Sequence, residues 1–169
     1  MTLMIEVYDG FFDEDTHKEI FDKLSEPHWA IDGGNSNKPE IFWHYDNLDA
    51  PNHNGYFSEY LYEKICKKLN MNFGGFYRIY ANGQTAGQCG TPHTDDGDLT
   101  FLYYPNPHWE LKLQGHLIFS EEERMIEYTP NRAVLFDAKL PHYADAPHRW
   151  FNGLRISLAY KLWRINELS

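Results

Sequence analysis

The sequence has few of the features that mark membrane, secreted or nucleic-acid-binding proteins. Two cysteines in 169 residues cannot form a disulfide framework, so we interpret Cys66 and Cys89 as free thiols in a reducing cytoplasm. The mean hydropathy is -0.63, no apolar run is long enough to span a bilayer, and the first residues do not have the pattern of a secretory signal. Only 15 Lys and Arg stand against 25 Asp and Glu, and a net charge of -10 makes nucleic acid an unfavourable partner. A neutral or basic peptide is more compatible with this charge.

Aromatic residues, by contrast, make up 17% of the chain, which favours half-buried β structure. Helices are predicted from Asp13 or Asp15 to about Ser25 and over 56–69, with a weak strand at 3–8 and a loop at 32–39. After residue 70 the pattern changes to short apolar runs that predict strands. These runs lie at 76–81, 99–104, 113–119, 124–128, 133–136 and 154–163.

The length predicts one domain, residues 1–169. Helices followed by many short strands predict a mainly β fold with flanking helices, and a jelly roll, or double-stranded β-helix, is the natural candidate. We expect a helical support over about 1–72 and the jelly-roll core over about 73–165.

A candidate metal motif is His93-Thr94-Asp95, which follows a glycine-rich loop expected over 82–90. On an extended segment, side chains two residues apart point to the same side. An imidazole and a carboxylate on one side, with one further histidine, form the facial triad of non-haem Fe(II) sites, which leaves adjacent positions open for co-substrates. The motif alone is close to chance, because His44-Tyr45-Asp46 repeats it in an aromatic stretch. We interpret that second copy as a packed strand with a hydrogen-bonded histidine.

The third ligand is expected on a later strand, where His142 and His148 both qualify. His142 follows the apolar run 133–136 and a short turn, so it can open the next strand, and we favour it. His148 lies in a segment that is predicted to be a connecting loop. His116, within the run 113–119, either lines the same cavity or is a buried core histidine.

A cationic residue close to the start of an apolar strand, Arg155, is a candidate for binding an anion. A 2-oxo diacid is a co-substrate that the open positions of such an iron site can bind. Its distal carboxylate needs a cationic partner, and the planar guanidinium matches it bidentately. The alternative is an edge-strand arginine that points to solvent. Tyr103 and Tyr104 lie on opposite faces of their strand, so one of them is expected to face the cavity, and Tyr80 is a third candidate.

The region from about Phe76 to Trp163 resembles the prolyl 4-hydroxylase-like branch of the 2-oxoglutarate/Fe(II) dioxygenases, in which phage- and bacteria-encoded members are similar in size. The motifs that carry the resemblance are Tyr80-Ala-Asn-Gly-Gln84, His93-Thr-Asp95, Leu102-Tyr-Tyr-Pro-Asn-Pro-His-Trp109, Gln114-Gly-His-Leu-Ile-Phe119, Pro141-His142 and Arg155-Ile-Ser-Leu158. The segment Tyr-Tyr-x-Asn-x-x-Trp is especially similar to that of the oxygen-sensing prolyl hydroxylases.

The resemblance implies a double-stranded β-helix with iron held by His93, Asp95 and His142. It implies that Arg155 and Tyr104 bind the distal carboxylate of 2-oxoglutarate, with Tyr80 lining the pocket. Fe(II) and 2-oxoglutarate are the implied cofactors, ascorbate is a possible further one, and dioxygen is a co-substrate. The implied activity is hydroxylation of proline in a peptide or protein, in the cytoplasm of the cell or of a phage host.

Three departures from the family pattern stand out. The family usually has Gly-Gly where this chain has Gln114-Gly115, and its collagen-type members have a lysine where this chain has Arg155. The segment from His142 to Arg155 is a few residues longer than usual, which affects the substrate entrance. The aromatic loop 28–45 and the segment around Trp109 are candidates for the substrate wall, with core packing as the alternative for each of the residues concerned: Trp29, Trp43 and Trp109.

Three other functions remain open. A hydroxylase of a small molecule such as free proline would use the same core. A nucleic-acid demethylase of the same superfamily is compatible with the spacing of Arg149 and Arg155 but not with the net charge. A non-catalytic jelly-roll binding module ranks last, because every expected ligand is present.

Overall fold

The computed structural model describes residues 3–33 and 41–165 of the chain. Within them, two antiparallel sheets face each other, and helices cover the outer face of the larger sheet. The larger sheet has seven strands in the order β1-β8-β5-β10-β4-β3-β2, and the smaller has three in the order β7-β6-β9. The strands are β1 (Ile5–Tyr8), β2 (Ala30–Gly33), β3 (Ile41–Tyr45), β4 (Phe76–Gln84), β5 (Leu99–Tyr103), β6 (Leu117–Phe119), β7 (Arg124–Ile126), β8 (Ala133–Asp137), β9 (His142–Ala144) and β10 (Arg155–Leu162).

Two helical segments pack outside the larger sheet. Helix α1 (Glu14–Leu24) begins after Asp13, whose carboxylate accepts a hydrogen bond from the backbone nitrogen of Thr16 and so caps the helix. The second segment starts as a π-helical turn at Tyr56–Leu61 and continues as helix α2 (Tyr62–Leu69). No helix in the described part of the chain is long and apolar enough to cross a membrane.

Alternation along the strands divides the buried residues into two cores. The outer core lies between the helices and the large sheet, and in β10 it takes Ile156, Leu158, Tyr160 and Leu162. The inner core lies between the two sheets and includes Tyr104, Phe119 and Phe136. The remaining residues of β10 therefore face the space between the sheets, and they are Arg155, Ser157, Ala159 and Lys161.

The structure confirms the predicted mainly β jelly roll. Some elements have bounds that differ from those predicted from the sequence. The first 72 residues supply strands β1 to β3 of the large sheet as well as the helices. The predicted strand 113–119 is shorter, because Gln114 and Gly115 both have positive φ and end a 3-10 turn before β6 begins. Of the loop predicted at 32–39, Asp32 and Gly33 belong to β2, and the rest lies outside the described residues.

The approach to His93 also differs from the prediction. The glycine-rich loop was expected to begin at Asn82, but β4 continues to Gln84. Gly83 has a packing reason to lie within the strand, since an added Cβ would stand 2.8 Å from a methyl carbon of Leu154.

Candidate metal centre and co-substrate pocket

Three predicted ligands come together between the two sheets. His93 and His142 pair their backbones, with N–O distances of 3.0 and 2.9 Å. Asp95 is held nearby by a backbone hydrogen bond of 2.7 Å to Ala138. Each of the three offers one ligand atom, and these atoms all lie within 4.8 Å of one another. Among the residues that the structure describes, no other His, Cys, Asp or Glu belongs to such a group.

Both histidines are oriented by backbone oxygens. His93 Nδ1 lies 2.9 Å from the carbonyl oxygen of Thr91, and His142 Nδ1 lies 2.8 Å from that of Leu140. A proton on each Nδ1 leaves Nε2 with a free lone pair. Burial lowers the pKa of His93, which also favours the neutral ring that a metal needs.

The carboxylate of Asp95 is buried and has two donors on one oxygen. Oδ2 accepts a hydrogen bond of 2.7 Å from Thr100 Oγ1 and forms an ion pair with the ammonium of Lys161. Burial would raise the pKa of Asp95, but the adjacent ring of His142 and the charge of Lys161 outweigh it and hold the pKa well below its usual value. The carboxylate is therefore ionised, as a metal ligand must be.

Arg155 is buried, at 2% exposure, which excludes the solvent-facing alternative. Its Nε donates to the backbone oxygen of Gly115 at 2.6 Å, and its Nη1 donates to Gln84 Oε1 at 2.9 Å. Neither of these two acceptors is a carboxylate. A buried cation without a carboxylate in direct contact is costly, so this site favours an anionic ligand.

Two tyrosines in sequence point in opposite directions. Tyr103 lies in the outer core, where its hydroxyl donates to Asn131 Oδ1 at 2.8 Å. Tyr104 lies in the inner core beside Arg155, whose guanidinium carbon is 5.5 Å from the ring centroid. The buried hydroxyl of Tyr104 has no hydrogen-bond partner among the described residues. An unpaired hydroxyl next to an arginine that contacts no carboxylate among these residues fits a carboxylate ligand.

Sequence reasoning missed two residues that support this pocket. Tyr128 stacks on Tyr104 at 4.3 Å and lies under the guanidinium of Arg155 at 4.7 Å. Its hydroxyl donates to Asn106 Oδ1 at 2.6 Å, and the same oxygen accepts from the backbone of Ile156 at 2.9 Å. Asn106 belongs to the Tyr-Tyr-x-Asn-x-x-Trp motif, which could have indicated its role. Nothing in the sequence around Tyr128 does so.

The predicted substrate residues do not form one surface. Trp29 donates to the backbone oxygen of Leu24 and packs in the outer core, on the far side of the sheet from the triad. Trp43 lies on β3, opposite Gly83 of β4. Trp109 packs on Tyr128 at 4.4 Å, beside the arginine.

Four further candidates also have defined positions. Tyr80 is nearly buried, with its ring 5.5 Å from the ammonium of Lys161. His116 is a buried histidine whose Nδ1 accepts from the backbone of Tyr128 at 3.1 Å. His44 lies 3.0 Å from Asn82 Oδ1, as expected for a hydrogen-bonded strand histidine. Arg149 is exposed and stands over Trp150.

No family model and no curated protein matches the sequence. Solved structures do match. A prolyl-4-hydroxylase from Pseudomonas putida is 17% identical, with a TM-score of 0.66 over 96% of this chain and 94% of its own. A prolyl hydroxylase from Trichoplax adhaerens, solved with a hypoxia inducible factor peptide, is 14% identical, with a TM-score of 0.71 over 94% and 83%.

The chain has the fold of the 2-oxoglutarate and iron(II) oxygenases. The fold implied by the sequence motifs is therefore confirmed. The same oxygenase fold occurs in HygX from Streptomyces hygroscopicus, solved with nickel, 2-oxoglutarate and hygromycin B. HygX is 10% identical, with a TM-score of 0.65 over 98% of this chain and 84% of its own.

Proposed function

We propose that this protein is an Fe(II)- and 2-oxoglutarate-dependent oxygenase. The observation that carries the proposal is the combination, between the two sheets, of a His-Asp-His group with a buried arginine whose direct acceptors in the described residues are not carboxylates. The donor set of two imidazole nitrogens and one carboxylate suits a divalent iron site with open positions. Arg155 and the unpaired hydroxyl of Tyr104 suit the distal carboxylate of a 2-oxo diacid.

Each residue has a distinct part in this proposal. His93, Asp95 and His142 would hold the metal. Arg155 and Tyr104 would bind and orient the co-substrate. When bound, Fe(II) supplies the oxidative chemistry by which dioxygen and 2-oxoglutarate hydroxylate an unactivated C–H bond and yield succinate and carbon dioxide.

The surroundings of the pocket support that chemistry by excluding water. Tyr104, Phe119, Tyr128 and Phe136 are all nearly fully buried in the inner core. An apolar enclosure strengthens the attraction between Arg155 and a carboxylate, because the local dielectric constant is low. It also limits the side reactions that water would allow.

For the substrate, we propose proline in a peptide or protein. The sequence motifs and two structural neighbours that are prolyl hydroxylases support this choice. A small-molecule substrate is the second candidate, supported by the neighbour that was solved with hygromycin B. A nucleic-acid substrate has less support, because Arg149 is exposed whereas Arg155 is buried, and the net charge is -10.

The test is succinate release by the purified protein with Fe(II) and 2-oxoglutarate, across proline-containing peptides, free proline and methylated nucleotides. We expect turnover that depends on a peptide and a mass gain of one oxygen on proline. His142→Ala should abolish it. Turnover unchanged in that variant would refute the oxygenase proposal, while turnover with a small molecule alone would refute the prolyl proposal and leave the oxygenase intact.

A further inference from the structure

Lys161 is a buried ammonium beside the candidate metal ligand Asp95. Its residue exposure is 1%, and it lies on the inward face of the central strand β10. Besides its ion pair with Asp95 Oδ2, its Nζ lies 3.3 Å from Thr100 Oγ1. The co-substrate pocket does not explain this residue, because the arginine that serves the pocket stands at the other end of the strand.

The two donors act on one oxygen of the carboxylate. Asp95 Oδ2 carries the ion pair with Lys161 and the hydrogen bond from Thr100, and it lies 3.3 Å from His142 Nε2. The other oxygen, Oδ1, lies 3.6 Å from His93 Nε2 and has no such donor among the described residues. Lys161 and Thr100 thus fix how the carboxylate faces the two imidazoles.

Lys161 also changes the charge of the site. Two neutral imidazoles and one carboxylate carry a net charge of -1, and the ammonium brings the total to zero. Because both charged groups are almost fully buried, water and salt screen them weakly. A bound divalent cation would be repelled by this ammonium, and a dianionic co-substrate would be attracted by it.

We propose that Lys161 is a positioning residue that serves as the internal counter-cation of Asp95. It keeps the carboxylate oriented toward the two imidazoles when no metal is bound. It weakens the binding of the divalent metal and strengthens the binding of 2-oxoglutarate to the loaded site. This inference rests on the proposed function and extends it to the balance between the two cofactors.

The test measures binding rather than turnover, in the wild type and in two neutral variants, Lys161→Met and Lys161→Gln. Affinity of the metal-free protein for Mn²⁺ is measured by competition with a chromophoric chelator. We expect both variants to bind Mn²⁺ roughly tenfold or more tightly than the wild type, because a nearby positive charge is removed. Calorimetry on the Mn²⁺-loaded proteins should show 2-oxoglutarate binding weakened about threefold or more.

Lys139→Met is the matched control. Lys139 donates to the backbone oxygen of Asp95 at 3.1 Å, but it is exposed, so its charge is screened by solvent. The Mn²⁺ affinity of the Lys139→Met variant should stay within about twofold of that of the wild type. Lys161→Arg retains the charge and should also retain an affinity close to that of the wild type.

The outcomes separate this inference from the proposed function. A wild type that binds no Mn²⁺ contradicts both. Wild-type binding with equal or weaker affinity in both neutral variants contradicts only the role of Lys161. If a neutral variant unfolds without metal, rescue of its circular dichroism spectrum by Mn²⁺ supports the proposal, and failure of rescue assigns Lys161 to the core and contradicts it.

Discussion

At the scale of single residues, the pocket is defined by polar groups without the usual partners. Among the described residues, Arg155 makes no hydrogen bond or ion pair with a carboxylate, and the hydroxyl of Tyr104 has no hydrogen bond. In most proteins such groups would be paired. Their position on one inward face makes them the most specific sign of a site for an anionic ligand.

Tyr104→Phe tests this directly. Removing the hydroxyl should weaken 2-oxoglutarate binding about tenfold, the usual value for a hydrogen bond to a charged group. The stability of the ligand-free protein should not fall, because the hydroxyl is unpaired there. Calorimetry and urea titration measure the two effects.

The neighbouring tyrosine provides the control. Tyr103→Phe removes a hydroxyl that donates to Asn131 in the outer core. It should cost about 1 kcal/mol of stability and leave 2-oxoglutarate binding unchanged. If the two variants behaved alike, the assignment of Tyr104 to the co-substrate would be wrong.

Much of the site could be predicted at this scale, because ligand chemistry and alternation are local. The shared side of His93 and Asp95 and the opposite directions of Tyr103 and Tyr104 follow from alternation, whereas the choice of His142 needed its position after an apolar run. Lys161 was missed although the same rule applies, since it lies an even number of residues after Arg155. Its partner, Asp95, comes from a distant segment, and no local pattern gives such a pairing.

At the scale of elements, the segment from the 3-10 turn to β6 carries a conformation that suits glycine. Gln114 has a φ of 57° and a ψ of -137°, which side chains with a Cβ seldom adopt. The next residue, Gly115, has a φ of 73°, and an added Cβ would stand 3.0 Å from Arg155 Cδ. The first position tolerates a side chain at a cost, and a side chain at the second position would require Arg155 to shift.

Gln114→Gly should therefore stabilise the protein by about 1 kcal/mol, after allowing for the greater freedom of glycine in the unfolded chain. Thermal and urea denaturation would measure the change. Gly115→Ala should act in the opposite sense and also weaken 2-oxoglutarate binding. A loss of stability in Gln114→Gly would show that the backbone is not strained at that position.

Asn106 links three elements near the pocket. Its side chain donates to the backbone oxygen of Leu154 and accepts from the hydroxyl of Tyr128 and the backbone nitrogen of Ile156. Asn106→Ala should cost about 3 kcal/mol, because buried groups lose their partners. The exposed Asn52→Ala should change the stability by less than about 0.5 kcal/mol in the same urea titration.

The element boundaries were harder to predict than the strands themselves. The continuous apolar strand β10 was located almost residue for residue, because burial on both sides gives a strong signal. The strand β2 was not predicted, since its four residues, Ala30–Gly33, have no clear alternation and gain their structure from pairing with β3. Gly83 suggested a loop, but it lies in a strand because Leu154 packs against it.

At the scale of the whole molecule, the candidate metal centre joins segments that are far apart in sequence. His93 and Asp95 precede β5, and His142 opens β9 of the other sheet. A metal ion bound by all three would link the two sheets. Binding should therefore be visible as global stability.

We expect Ni²⁺ at a hundred times its dissociation constant to add about 2.7 kcal/mol of stability. For a domain of this size, that corresponds to a rise in melting temperature of roughly 5–10 °C. A chelator should reverse the rise. His142→Ala should show little or none of it, and an equal rise in that variant would place the metal elsewhere.

The central position of β10 has a consequence for folding kinetics. Without it, the large sheet separates into two groups of three strands, β1-β8-β5 and β4-β3-β2. Each group would expose an edge of unpaired backbone groups, which invites association with other chains. Both of its partner strands lie tens of residues earlier in the chain, so insertion must await slow, long-range loop closure. Arg155 and Lys161 lie on this strand, so the pocket takes shape in the same event that closes the sheet.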